Sequence, residues 1–163
     1  MENNYQVTSE RGKPPVIIDG RNVAGSQKQI DGTWGWERIL SVAKYHLGDG
    51  SKVTAIIPFH EKELSKKLRK LGAEIVRFFS EKDKENDDKT ALGRAGINGG
   101  FIVTNDKSMS KHLDGGILDR EWFASHRIGF RFDENEYTPN FPKSWHIECQ
   151  KISLSITEME VRT

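Results

Sequence analysis

The chain has a single cysteine, Cys149, and no apolar run that approaches the roughly 20 residues of a membrane span. One thiol excludes an intrachain disulfide and any zinc site built from several cysteines. The formal charge of +1 excludes a strongly basic surface as a whole, so a nucleic-acid site would have to be a local patch. The polar N-terminal segment has no signal-peptide character, and we expect a cytoplasmic protein, with the nucleus as the alternative.

Apolar segments that predict strands alternate with amphipathic segments that predict helices. The predicted strands are 16–18, 53–57, 73–79, 101–104 and 128–132, and the predicted helices are 36–47, 61–71, 87–95, 107–113 and 119–125. This alternation is typical of an α/β fold with a parallel sheet and right-handed crossovers. Residues 152–161 fit either a strand or a terminal helix.

Carboxylates follow three of the predicted strands. Asp19 ends the first strand, Asp87 and Asp88 follow the third, and Asp106 follows the fourth. In a doubly wound sheet these strand ends converge. Gathered carboxylates repel one another, and a hard cation such as Mg²⁺ or Mn²⁺ relieves the repulsion. Because such a metal can activate water for attack on a phosphate, the pattern predicts phosphodiester hydrolysis.

Each acid alone also fits a structural role. An aspartate before glycine, as at Asp19, is often a turn former, and an aspartate at a helix start, as at Asp87 or Asp88, is often an N-cap. The occurrence of all of them at successive strand ends favours a common site.

Three motifs of the chain resemble a known family. The segments IIDGRNVA at 17–24, Asp87-Asp88 and FIVTND at 101–106 are similar to the opening strand, the Asp-Asp helix and the Ile-Val-Ser-Asn-Asp strand end of NYN-type, PIN-like ribonuclease domains of the regnase family, also called monocyte chemotactic protein-induced proteins. The resemblance implies a three-layer α/β/α sandwich with a central, mainly parallel sheet. It also implies a Mg²⁺- or Mn²⁺-dependent endoribonuclease that cleaves single-stranded or stem-loop RNA in RNA decay or silencing.

The resemblance assigns residues and boundaries. It implies catalytic roles for Asp19, Asn22, Asp87, Asp88 and Asp106, with Asp19, Asp88 and Asp106 at the metal and with Asp88 or Asp87 orienting or deprotonating the water. Asn22 would fix Asp19 or contact the scissile phosphate. We expect a flexible leader over residues 1–13, the PIN-like domain over 14–139, and a C-terminal extension over 140–163 that packs on the domain.

Basic and aromatic residues near the strand ends are candidates for RNA contacts. Lysine and arginine would bind phosphates, and a tryptophan would stack on a base. The candidates are Arg21, Lys28, Trp34, Lys89, Arg94 and Lys107. Each basic residue also fits an ordinary solvated surface charge.

The chain departs from the family pattern in ways that support a second hypothesis. Arg21 replaces a small residue, the segment 80–86 is shorter and more acidic than the family's basic arm, and Ser108 and Ser110 stand where a further acid often follows. We expect the zinc finger common after this domain in the family to be absent, because Cys149 alone cannot supply its ligands. A weakly active or inactive PIN-like module, binding RNA or proteins in a silencing or decay complex, is therefore the alternative. RNA is the expected partner in the nuclease hypothesis, protein partners and a homodimer stay open, and no membrane partner is expected.

A Rossmann-type phosphatase or nucleotide-binding protein is a third, weaker hypothesis. It would need a glycine-rich phosphate loop or an Asp-x-Asp after the first strand, and the sequence has neither.

Overall fold

The computed structural model describes residues 12–26, 35–78, 84–109 and 120–162. The strands in these ranges are β1 (Val16–Asp19), β2 (Val53–Pro58), β3 (Glu74–Phe78), β4 (Phe101–Val103), β5 (Arg127–Asp133) and β6 (Glu136–Asn140). The helices are α1 (Gly20–Gly25), α2 (Arg38–Gly48), α3 (Lys62–Leu71), α4 (Lys84–Asn98), α5 (Arg120–His126) and α6 (Lys143–Arg162).

The strands form one sheet in the order β3-β2-β1-β4-β5-β6. The first five strands are parallel, and β6 runs antiparallel to β5 at the edge. The strand order reverses between β1 and β4, which is the position where doubly wound sheets bind ligands. The predicted α/β class and the five predicted strands are confirmed. Strand β6 was missed because its sequence EYTPN is polar and contains Pro139, which only an edge strand accommodates.

The sheet is buried between two helical layers. Successive residues of β1 point to opposite faces, so Val16 and Ile18 enter one apolar cluster while Ile17 enters the other. The first cluster takes side chains from α2, α3 and α6, and the second takes them from α4 and α5. The predicted three-layer α/β/α sandwich is therefore confirmed.

The chain turns directly from β1 into α1, a helix that is not among the predicted ones. Gly20 begins this helix, and a Cβ at that position would overlap the carbonyl oxygen of Ile56 in β2. Glycine is required here by the close approach of α1 to the end of β2. This contact lies at the carboxyl edge of the sheet, directly after Asp19.

Helix α4 begins at Lys84, three residues before the predicted start. Asp88 therefore lies inside the helix, and the N-cap role considered for it is wrong. Residues 152–161 belong to α6, which resolves the choice between strand and helix. Most of the helix predicted over 107–113 lies outside the described residues.

Helix α6 is anchored at its N-terminal end. Trp145 is buried in the first apolar cluster and stacks on Phe141, with ring centroids 4.7 Å apart. No helix in the described ranges combines the length and apolar character that crossing a membrane requires. The predicted domain boundaries stay a prediction, and residues 1–11 of the predicted leader are not among the described ones.

Candidate active site

Asp19 lies at the carboxyl end of β1 and caps α1. Its Oδ1 accepts the backbone N–H of Asn22 at 3.5 Å, and its Oδ2 accepts the hydroxyl of Thr104 at 2.8 Å. Only 7% of Asp19 is exposed to solvent. The first strand therefore ends in a buried carboxylate that accepts hydrogen bonds from Asn22 in α1 and from Thr104, which directly follows β4.

The environment of Asp19 opposes its ionisation. Burial raises the pKa of Asp19 to about 7, against the hydrogen bond from Thr104 that lowers it. The charges of Asp88 and Asp106 are smaller contributions to this raised pKa. The structure thus brings three predicted acids near enough for mutual repulsion, from β1, α4 and the loop after β4.

Thr104 connects Asp19 to Asp106. Its Oγ1 donates to Asp19 and accepts the backbone N–H of Asp106 at 3.1 Å. Asp106 is in turn held by Ser108, whose backbone N–H and hydroxyl donate to Oδ1 of Asp106 at 2.9 Å and 2.7 Å. Ser108, a departure from the family pattern, therefore orients the acid that precedes it.

Asn22 is tied to the loop after β4 through Asn105. The Oδ1 of Asn22 accepts the backbone N–H of Asn105 at 2.7 Å. The side-chain amide of Asn105 pairs with the backbone of Phe130 in β5, donating to its carbonyl and accepting its N–H, both at 2.9 Å. This amide extends the β4–β5 pairing beyond Val103. It fixes the bend that carries Asp106 towards Asp19.

The residues predicted to contact RNA lie in different parts of the fold. Arg21 lies in α1 with its guanidinium 4.6 Å from the centre of the Phe78 ring, and Lys89 is exposed beside Asp88 in α4. Arg94 forms an ion pair of 4.0 Å with Glu74, at the start of β3 and so at the opposite edge of the sheet. The structure does not bring Arg94 to the acids.

Several predicted site residues fall outside what is described. These are Lys28, Trp34, Ser110 and the side chain of Asp87.

The acidic cluster suits a hard divalent cation. Among the described residues, no three Asp, Glu, His or Cys side chains are close enough to enclose a metal ion. The charges of Asp88 and Asp106 nevertheless act on Asp19, and all three offer only oxygen atoms. Mg²⁺ and Mn²⁺ prefer oxygen ligands, and Mg²⁺ typically binds one or two carboxylates while keeping several waters. The donor set at this edge fits such an ion.

Sequence reasoning missed three residues of the site. Thr104 and Asn105 were part of a motif without a role of their own, and Arg127, which donates to the carbonyl of Thr104 at 3.1 Å, was not considered. A run of three polar residues directly after the buried strand β4 was the available signal for the first two. No local pattern could reveal Arg127, because its partner lies 23 residues away.

Two solved structures of other proteins have a fold similar to that of this chain. The fold is similar to that of nuclear proteinaceous RNase P 2 from A. thaliana, with a TM-score of 0.64, 17% identity, and coverage of 89% of this chain and 33% of that one. A structure of nuclear protein-only RNase P 2 from Arabidopsis thaliana gives a TM-score of 0.61 and 19% identity, with coverage of 88% and 33%. The chain thus spans about a third of the length of these structures.

No match to a curated protein is found for this sequence. The family described as the Zc3h12a-like Ribonuclease NYN domain matches residues 12–148, which is most of the chain. The chain therefore belongs to the Zc3h12a-like NYN ribonuclease domain family.

Proposed function

We propose that this domain is a divalent-metal-dependent endoribonuclease that cleaves single-stranded or stem-loop RNA. The observation that carries the proposal is Asp19 at the switch point of the sheet, where burial and, to a smaller extent, the charges of Asp88 and Asp106 raise its pKa. Membership of a ribonuclease domain family supports RNA as the substrate class.

In this proposal Asp19 and Asp106 would hold the metal, and Asp88 would orient or deprotonate the attacking water. A Mg²⁺ or Mn²⁺ ion held by these carboxylates would supply charge neutralisation at the scissile phosphate and an activated water for hydrolysis. Thr104 orients Oδ2 of Asp19, and Ser108 orients Asp106. Asn22 is a positioning residue in this scheme, because its side chain accepts the backbone N–H of Asn105.

The alternative proposal is a weakly active or inactive module that binds RNA or protein partners in a silencing or decay complex. Ser108 favours it, because two hydrogen bonds from this residue already occupy Oδ1 of Asp106. A cation would have to compete with both bonds for that oxygen. Metal affinity would then be low.

A cleavage assay with metal titration tests the two proposals. An end-labelled single-stranded RNA is incubated with the protein in EDTA and in rising Mg²⁺ or Mn²⁺. We expect internal cuts in metal and none in EDTA. Intact RNA at all metal concentrations, with RNA binding retained, would overturn the nuclease proposal and support the module.

A further inference from the structure

A basic cleft lies beside the acidic site, on the β5–β6 side of the sheet. Its volume is about 560 Å³, within the range of about 300–1,000 Å³ that is typical of small-ligand sites. Lys107, Arg127 and Arg131 line it together with Asn105, Thr138 and Asn140. No acidic side chain lines the cleft among the described residues.

Strand geometry explains why these side chains share one face. Phe130 and Phe132 of β5 enter the apolar core, so Gly129 and Arg131 point to the other side of the sheet. The register pairs Gly129 with Asn140 and Arg131 with Thr138, which places both β6 residues on the same face. The antiparallel pair therefore forms a polar floor.

Gly129 keeps the floor of the cleft open. A Cβ at this position would come within 3.0 Å of Nη1 of Arg127 and 3.5 Å of Oδ1 of Asn105. The missing side chain leaves room for the Arg127 guanidinium to lie along the strand and reach the carbonyl of Thr104.

Asn105 joins the cleft to the acidic site. Its backbone N–H donates to Asn22, while its side chain lines the cleft. Lys107 directly follows Asp106 and also lines the cleft. A strand whose phosphate lies at the acids would therefore meet this surface next.

The charges of the cleft are only partly compensated. Nε of Arg131 lies 3.5 Å from Oδ2 of Asp133, but both side chains are largely exposed, so this pair is weak and screened. Lys107 is exposed as well. Basic side chains that are not fully neutralised attract a polyanion.

We propose that this cleft binds a backbone phosphate and its nucleotide adjacent to the scissile bond, with Lys107 and Arg131 on the phosphate and Asn105, Thr138 and Asn140 facing the nucleoside. The proposal rests on the proposed function in taking RNA as the ligand. It adds a subsite that directs the substrate strand from the acids across β5 and β6.

The test measures binding of a labelled single-stranded RNA to the Asp19→Asn protein across a range of KCl concentrations. Adding Lys107→Gln and Arg131→Gln is expected to weaken binding about tenfold and to reduce the slope of log K against log salt by about 1.4, or about 0.7 per contact. The matched control carries Lys44→Gln and Lys52→Gln, which remove two exposed charges from α2 and from the residue before β2. We expect little change in the control.

A second variant distinguishes the effect of the cleft's shape on RNA binding from the effect of its charge. Thr138→Phe fills the cleft without altering any charge, and an edge strand accommodates an aromatic residue. It should weaken RNA binding while leaving the salt slope unchanged. Equal binding by Thr138→Phe and its parent, or equal losses in the cleft and control charge variants, would overturn the subsite.

The outcomes are distinct from those of the nuclease proposal. Wild-type protein that never cleaves RNA, but whose binding depends on the cleft, would overturn the nuclease and keep the subsite. If the wild-type protein cleaves RNA but the cleft variants bind RNA as well as the control variant does, the nuclease proposal stands and the subsite is overturned.

Discussion

The hydroxyl of Thr104 donates a hydrogen bond to Oδ2 of Asp19 over 2.8 Å, and Thr104 has no exposed surface. Oγ1 of Thr104 also accepts the backbone N–H of Asp106 at 3.1 Å. One buried hydroxyl therefore sets the position of two acids that lie on different strand ends. The bond to Asp19 is buried, so water does not readily replace it.

Thr104→Val should separate this role from that of side-chain size. Valine keeps the shape but leaves buried polar groups without their partner, so we expect a loss of about 1–3 kcal/mol in the free energy of unfolding. We also expect a lower kcat and a higher metal requirement. Thr104→Ser retains the hydroxyl and should therefore be closer to wild type in stability, kcat and metal requirement. Urea unfolding measures the stability, and cleavage in a metal titration measures the other two. Equal behaviour of the Val and Ser variants would contradict the role.

Asp19→Asn should stabilise the metal-free protein at high pH. The pKa of Asp19 is raised from 3.8 to about 7 in the fold, so its contribution to stability is lost as pH rises through 7. Removing the charge should gain at most about 4 kcal/mol at pH 8 and progressively less towards pH 4. Urea midpoints in EDTA measure this, with the exposed Asp49→Asn as control. A less stable Asp19→Asn protein at pH 8 would count against the buried, repelled carboxylate.

His46 should make the fold sensitive to acid. It is fully buried with Nε2 2.8 Å from the hydroxyl of Tyr137, and burial lowers its pKa from 6.5 to about 4. Between pH 6.5 and 4, His46 is protonated in the unfolded chain but stays neutral in the fold. The free energy of unfolding therefore falls as pH drops through this range, by at most about 3 kcal/mol.

Asp19 titrates with the opposite sign, so the His46 effect is best measured in the Asp19→Asn protein. Comparing it with the Asp19→Asn, His46→Phe double variant isolates the histidine. As pH falls from about 6.5 to about 4, the protein with His46 should lose stability relative to the double variant. Outside this range the difference in free energy of unfolding should stay constant. A difference that stays constant over that range would show that His46 does not resist protonation.

Two glycines should respond oppositely to alanine. Gly20→Ala places a Cβ on the carbonyl oxygen of Ile56, and we expect a loss of more than about 2 kcal/mol and displacement of Asp19. Gly93→Ala lies within α4 with open space around the new Cβ, and should gain about 0.5–1 kcal/mol. Thermal unfolding of both variants checks the pair. A Gly20→Ala protein as stable as wild type would contradict the close packing of α1 on β2.

Local pattern was sufficient to predict much of the fold. The apolar runs of β1 and β2 and the leucine spacing of α3 identify these elements, and the positions of Asp19 and Asp106 after buried strands predict that they meet. Helix α1 was missed because it has only six residues and begins at a glycine whose role depends on β2.

What the sequence could not predict depends on register and helix length. The pairing of Asn105 with Phe130 spans 25 residues and relies on the alignment of β4 with β5. Arg94 was expected near the acids, but α4 carries it along its length to Glu74 at the other edge. Such long-range relationships leave no periodic signal in the chain.

The cleavage of a labelled single-stranded RNA by wild type, Asp19→Asn and Asp49→Asn proteins in Mn²⁺ or Mg²⁺ tests the central claim most directly. Asp49 is exposed at the end of α2, so its variant removes the same charge away from the site. We predict internal cleavage by wild type and Asp49→Asn, and its loss in a folded Asp19→Asn protein. Unchanged cleavage by Asp19→Asn would contradict the assignment of the acidic cluster as the catalytic site.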